Sequence, residues 1–155
     1  PFLPPAVAAT HGVTRVELPA LLQRSDFVSV HCKVTPETVG LIGARELRMM
    51  KPSAYLVNTA RAVIVDKQAL LEALHGRWIA GAALDVFHDE PLTADDPILK
   101  APNTVLTPHI AGASPDIPAR HSSMMAADIV RYLRGETPLH IANPEVLGSG
   151  PITPR

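Results

Sequence analysis

IAGAALDVF, residues 79–87, is apolar at every position but Asp85. Its side chains do not alternate between polar and apolar, so the stretch predicts a strand buried on both faces. Such strands belong to parallel sheets packed between helices. FVSVHC (27–32), AYLVN (54–58) and NTVL (103–106) read as three more short strands of the same kind. Helical stretches separate them. ELPALLQRS (17–25) makes a helical turn or two, and GARELRMM (43–50) makes a short helix stopped by Pro52. After AYLVN, Asp66 offers an N-cap oxygen to a helix whose inner stripe is Leu70, Leu71 and Leu74. Gly76 closes that helix as a glycine just past its end. KVTPET (33–38) and TARAVIV (59–65) read as loops. Strands separated by helices imply an α/β fold with a parallel sheet covered on both faces.

The longest helix runs over residues 115–133. Met125, Ile129 and Leu133 fall at i, i+4 and i+8, Ala126 and Val130 widen the stripe, and Gly135 ends it. The following tail has no sustained period and reads as loop, frayed at its end.

The bulk numbers exclude several classes. A length of 155 residues suits one domain, and 46% hydrophobic with 19% charged residues is a globular composition. A net charge of -1 with both signs scattered leaves no basic stripe for nucleic acid. No apolar run approaches the ~18–20 residues of a membrane span. PFLPPAVAATHGV at the start has no charged region followed by an apolar core, so no secretion signal is expected. Cys32 is the only cysteine, which forbids an internal disulfide and suits a reducing cytoplasm. No HxxxH or CxxC occurs, so no metal is expected.

In parallel sheets ligands bind beyond the carboxyl ends of the strands. Here those ends carry His31, Cys32 and Lys33; Thr59, Ala60 and Arg61; Asp85 and Glu90; and Thr107 with His109. Four strand ends thus bring arginine, aspartate, glutamate and histidine to one edge, which is the layout of an active site.

Three blocks in order, VNTARAVIVDKQALLEAL (57–74), IAGAALDVFHDEPL (79–92) and NTVLTPHIAGAS (103–114), resemble the second half of the D-isomer-specific 2-hydroxyacid dehydrogenases. That family includes glyoxylate/hydroxypyruvate reductases, phosphoglycerate dehydrogenases and D-lactate dehydrogenases. The likeness runs from about Pro1 to about Leu147. It implies hydride exchange between NAD or NADP and a small 2-hydroxy/2-oxo acid, in a cytoplasmic homodimer. Residues 1–113 would be the C-terminal part of the cofactor domain, 114–135 a crossing helix, and 136–155 a return toward the substrate domain and tail.

By this resemblance Arg61 is the substrate-binding arginine. A planar guanidinium grips the carboxylate and carbonyl of a 2-oxo acid with parallel hydrogen bonds, which a lysine cannot do. His109 is the acid/base, since imidazole holds or releases a proton near neutrality. Glu90 is the carboxylate that favours the imidazolium and fixes its ring. Asp85 would lie by the nicotinamide, where an ionised aspartate in an apolar strand needs a carboxamide or the nearby arginine as partner, a structural role being the rival. His31, Cys32, Lys33, Thr38, Thr59 and Ala60, together with Arg61 and His109, would line the cofactor. Gly112 would leave room for the nicotinamide. Lys33 departs from the family's usual proline. Ala62 replaces a common glycine, which requires a negative φ there.

The family's GxGxxG turn is absent, so the fold expected is an incomplete Rossmann-like, doubly wound parallel sheet without its first βαβ unit. PFLPP resembles the segment after the acidic residue that grips the adenosine ribose. Without the glycine loop the pyrophosphate lacks its helix N-terminus, and these 155 residues alone are expected to turn over poorly. Two relatives mark the alternatives. Corepressors of this family keep the fold and bind NAD without catalysis. Formate dehydrogenases carry glutamine where this chain has Glu90, and the carboxylate argues for acid/base work instead.

Overall fold

A computed structural model describes residues 4–147. The chain divides into two units, residues 1–111 and 112–155. The first contains α1 (Pro5–Thr10), α2 (Leu18–Arg24), β1 (Phe27–Val30), α3 (Ala44–Met49), β2 (Tyr55–Asn58), α4 (Lys67–His75), β3 (Gly81–Leu84) and β4 (Thr104–Leu106). The short helix α1, with Pro5 at its first turn, is not anticipated by the sequence pattern.

The four strands form one parallel sheet in the order β1-β2-β3-β4. Val28, Leu56, Ala82 and Thr104 lie abreast, and so do Val30, Asn58, Leu84 and Leu106. These rows face the core. Leu22 of α2, Leu47 of α3, and Leu70, Leu71 and Leu74 of α4 pack there with Val28, Val30, Leu56 and Leu84. The other face differs from expectation. Phe27, Tyr55 and Val105 are exposed on it, and the Phe27 and Tyr55 rings stack 5.7 Å apart. Cover on both faces therefore holds only for the central β3, where Gly81 is buried and Ala83 half-buried. β3 is also shorter than residues 79–87, because its ladder ends where Asp85 turns its carboxylate to the loop after β4.

Asp66 caps α4 as expected, accepting from the Ala69 N–H at 2.7 Å. Gly76 closes the helix as expected, without being left-handed itself. Its φ is -79°, and Arg77 is left-handed at φ +54° instead. Glycine is needed at 76 for space: an added Cβ would lie 2.6 Å from Trp78 Nε1 and 2.9 Å from the Glu72 carbonyl oxygen. Trp78 in turn carries the Arg48 guanidinium 3.4 Å above its ring. A cation over an indole face is attracted by its quadrupole. The stretch TARAVIV is not plain loop. It holds a 3-10 turn, Ala62–Ile64, and a parallel bridge between Val65 and Ile42. No positive φ occurs at Ala62.

The second unit is built on α5 (Asp116–Leu133), closed by Gly135 at φ +74°. Met125, Ile129 and Leu133 of its apolar stripe are exposed. The tail after it is irregular, as expected, but fastened. Asp128 accepts from the Leu139 and His140 N–H groups at 2.7 and 3.1 Å and pairs with His140 Nδ1 at 2.8 Å. Arg131 bonds the Thr137 carbonyl and Glu136. A 3-10 turn at Pro144–Leu147 follows. The end of the tail, 148–155, and the first residues of PFLPP lie outside the described residues. No described helix is long and apolar enough to cross a membrane.

Candidate active site

All four strands run the same way, so their carboxyl ends open on one edge. Arg61 stands just past β2, Asp85 and Glu90 past β3, and His109 past β4. Glu90 and His109, 19 positions apart in sequence, meet in space because β3 and β4 are neighbours.

Glu90 Oε2 lies 2.8 Å from His109 Nδ1, and Glu90 Oε1 accepts from the Phe87 N–H at 2.8 Å. These two bonds outweigh partial desolvation and the neighbouring Asp85 charge, holding the Glu90 carboxyl below its usual range. Glu90 is therefore ionised near neutrality and can only accept. The proton of the shared bond must then sit on His109 Nδ1, which leaves Nε2 as the nitrogen free for a reacting group. Glu90 precedes a cis peptide to Pro91. Beside the pair is a cavity of about 300 Å³, walled by Phe87, Leu92, Leu106 and Pro108.

His109 has φ +55°. A non-glycine residue held there costs about 1–3 kcal/mol, so the surrounding structure must impose it. Asp85, buried, accepts from the Thr107 hydroxyl, from the Ile110 N–H at 2.9 Å and from the Ala111 N–H at 2.8 Å. Burial pushes its carboxyl up, but those three bonds and the adjacent His109 pull it below the usual range. Its partners are thus the chain's own hydroxyl and amides, and Arg61 is not among them.

Arg61 is exposed, and its guanidinium donates to the Ala60 carbonyl at 2.6 Å. The loop that carries it is shaped by Asn58, a residue the sequence reading does not single out. Asn58 is buried at the end of β2, where its Oδ1 accepts from the Ala60 N–H and its Nδ2 donates to the Arg61 carbonyl. A lone amide closing an apolar strand was the available signal. Thr107 stands among the polar strand-end residues in the sequence, but no role of its own follows from that place.

The groups expected along the cofactor lie at the ends of β1 and β2. His31 Nε2 is 2.8 Å from the Ser29 hydroxyl. Cys32 is half-buried and packs against the core as a free thiol. Thr38 turns its hydroxyl inward, donating to the Lys33 carbonyl and accepting from the Thr35 N–H, both at 2.8 Å. Thr59 is exposed and Ala60 half-buried. Gly112 opens the second unit, and an added Cβ there would meet nothing within 4 Å. No three histidine, cysteine, aspartate or glutamate side chains gather as a metal site among the described residues.

Comparison with known proteins places the chain in a family. Residues 2–111 match the family model described as D-isomer specific 2-hydroxyacid dehydrogenase, NAD binding domain. A glyoxylate reductase of Korarchaeum cryptofilum is 49% identical over 136 residues, covering 88% of this chain and 41% of that protein. The chain thus spans about two fifths of the length of that relative. Among solved structures, a D-isomer specific 2-hydroxyacid dehydrogenase of Xanthobacter autotrophicus in complex with NADPH and MES matches with TM-score 0.73 and 37% identity, over 83% of this chain and 52% of that one. A D-isomer specific 2-hydroxyacid dehydrogenase of Lactobacillus delbrueckii, in its NAD complexed form, matches with TM-score 0.79 and 31% identity, over 90% and 46%.

Proposed function

Because this chain belongs to the D-isomer specific 2-hydroxyacid dehydrogenase family, we propose that it supplies the acid/base side of a reversible 2-oxo acid reduction. The observation that carries this reading is the 2.8 Å bond between Glu90 and His109 at the edge where parallel sheets bind ligands.

The chemistry follows from the groups present. Arg61 anchors the substrate carboxylate and draws charge toward the carbonyl oxygen. His109, its Nδ1 tied to Glu90, donates from Nε2 to the oxygen on which charge develops. In the reverse direction the neutral ring takes the hydroxyl proton. Glu90 keeps the ring oriented through its bond to Nδ1.

NAD or NADP, when bound, supplies or accepts the hydride. The donor set fits the strand-end part of such a cofactor, since His31, Lys33, Arg61 and His109 offer hydrogen bonds and positive charge along one edge. His31, Cys32, Lys33, Thr38, Thr59, Ala60 and Asp85 are its proposed neighbours on the first unit. No glycine-rich phosphate loop occurs in the sequence, so the 155 residues alone are expected to show little turnover. A cytoplasmic homodimer acting on a small 2-oxo acid completes the reading.

A chimera tests it. The chain replaces the matching stretch of the Korarchaeum cryptofilum glyoxylate reductase, and oxidation of NADH and NADPH is followed with glyoxylate and with hydroxypyruvate. Turnover is expected, and His109→Ala should lower kcat by roughly 10²–10⁴-fold. Arg61→Ala should raise KM and lower kcat together. Normal turnover in His109→Ala would falsify the assignment. A chimera that binds the dinucleotide but reduces neither acid would favour the alternative of a non-catalytic, corepressor-like NAD-binding protein.

A further inference from the structure

We propose that Asp85 and Thr107 form a brace that sets His109 against Glu90, which makes both of them positioning residues for the pair. Asp85 then has a task of its own besides standing beside the cofactor.

The argument starts from the backbone of His109. Its left-handed φ is one that residues with a Cβ seldom adopt unless they are held there. The chain is held on both sides of it. Before His109, the Thr107 N–H donates to the Leu84 carbonyl at 3.0 Å, and its hydroxyl donates to Asp85 Oδ1. After His109, the Ile110 and Ala111 N–H groups donate to Asp85 Oδ1 and Oδ2. One carboxylate therefore receives donors from both flanks of a single residue. The carboxylate is itself anchored, because the Asp85 N–H donates to the Asn58 carbonyl at 3.0 Å at the end of the sheet.

The residue type follows from this geometry. Two N–H groups and one O–H converge, so the receiver must accept at both of its oxygens, which an ionised carboxylate does and a carboxamide does not. Thr107 contributes through a hydroxyl that reaches Asp85 from the adjacent strand end, and valine, its isostere, has none.

Charge and hydrogen bonding act on Glu90 in opposite directions here. As a neighbouring anion, Asp85 makes it harder for Glu90 to ionise. As a brace, it keeps the His109 ring against Glu90, and that bond is the largest influence favouring the ionised form. The sign of the change on substitution therefore separates the two roles.

The inference rests on the Glu90–His109 contact as the working pair, but its test reads the chain itself and needs no turnover. The Glu90 carboxyl carbon is followed by NMR against pH in the wild-type chain and in Asp85→Asn, Thr107→Val and Thr107→Ser. The brace predicts that Asp85→Asn and Thr107→Val each move the Glu90 midpoint up toward the ordinary carboxylate range, while Thr107→Ser leaves it low. A purely electrostatic Asp85 predicts a further fall in Asp85→Asn and no change in Thr107→Val, and that pair of results overturns the proposal. Should a variant fail to fold, the wild-type chain still decides. Scalar couplings across hydrogen bonds, from the Ile110 and Ala111 amide nitrogens to the Asp85 carboxyl carbon, must be present, and their absence overturns the brace. An inactive chimera would count against the proposed reaction and leave these couplings untouched.

Discussion

Asn58 shows how much a single buried amide contributes to the Arg61 loop. Both halves of its side chain are used, on the Ala60 N–H and the Arg61 carbonyl. Asn58→Leu would keep the volume and strand both backbone groups, for a loss of about 1–3 kcal/mol. Urea denaturation of the two proteins measures it, and equal midpoints would mean that water replaces the amide. Gly81 makes a second case. A Cβ there would lie within van der Waals overlap of the Asn103 carbonyl oxygen, a backbone atom with nowhere to go. Gly81→Ala should therefore cost about 1–3 kcal/mol or more in the same assay. Arg61, Glu90 and His109 were legible in the sequence because each follows an apolar run that announces a strand end. Asn58 and Thr107 were not, since amides and hydroxyls at strand ends are commonplace. Their weight comes from the particular backbone atoms they face, and residue order does not encode that.

At the level of elements, the parallel strands and α2 to α4 follow directly from apolar runs, caps and proline stops. Boundaries were less legible. The run over residues 79–87 continues past the end of β3 because Asp85 and Val86 are buried, and Phe87 half-buried, for another reason, in the loops beyond the sheet. The Lys67–Asp96 pair was also hidden, as 29 residues separate its members. It joins the start of α4 to the 3-10 turn before β4. Asp96 is buried, accepts from Lys67 Nζ at 2.8 Å and also caps that turn through the Ile98 N–H. The Lys67 bond, with the Ile98 N–H, outweighs desolvation and lowers the Asp96 carboxyl from its ordinary value. A lowered folded value means the pair stabilises fully above the unfolded value of about 3.9 and loses that contribution as pH falls through the folded one. Denaturant midpoints below pH 5 should therefore drop more steeply in wild type than in Asp96→Asn, and parallel slopes would refute the linkage. Asp66→Ala, which removes the α4 cap, should cost about 1 kcal/mol in the same experiment at neutral pH.

For the whole molecule, the sheet is covered on one face and open on the other, where Phe27, Tyr55 and Val105 stand exposed. Hydrophobic periodicity reports that a face seeks cover without saying what provides it, which is why the sequence reading expected helices on both. The exposed, stacked Phe27 and Tyr55 rings should bind a hydrophobic dye. Phe27→Thr should cut the dye fluorescence while leaving the melt nearly unchanged. Equal fluorescence in the two proteins would place the dye elsewhere. The common direction of the strands has a practical side as well. Arg61, Glu90 and His109 follow the carboxyl ends of the strands, and the turns that lead into the strands, near Lys51, Arg77 and Lys100, lie at the opposite rim. A fluorophore or surface tether attached at Lys100 would report on, or immobilise, the protein from behind and leave the working edge facing solution.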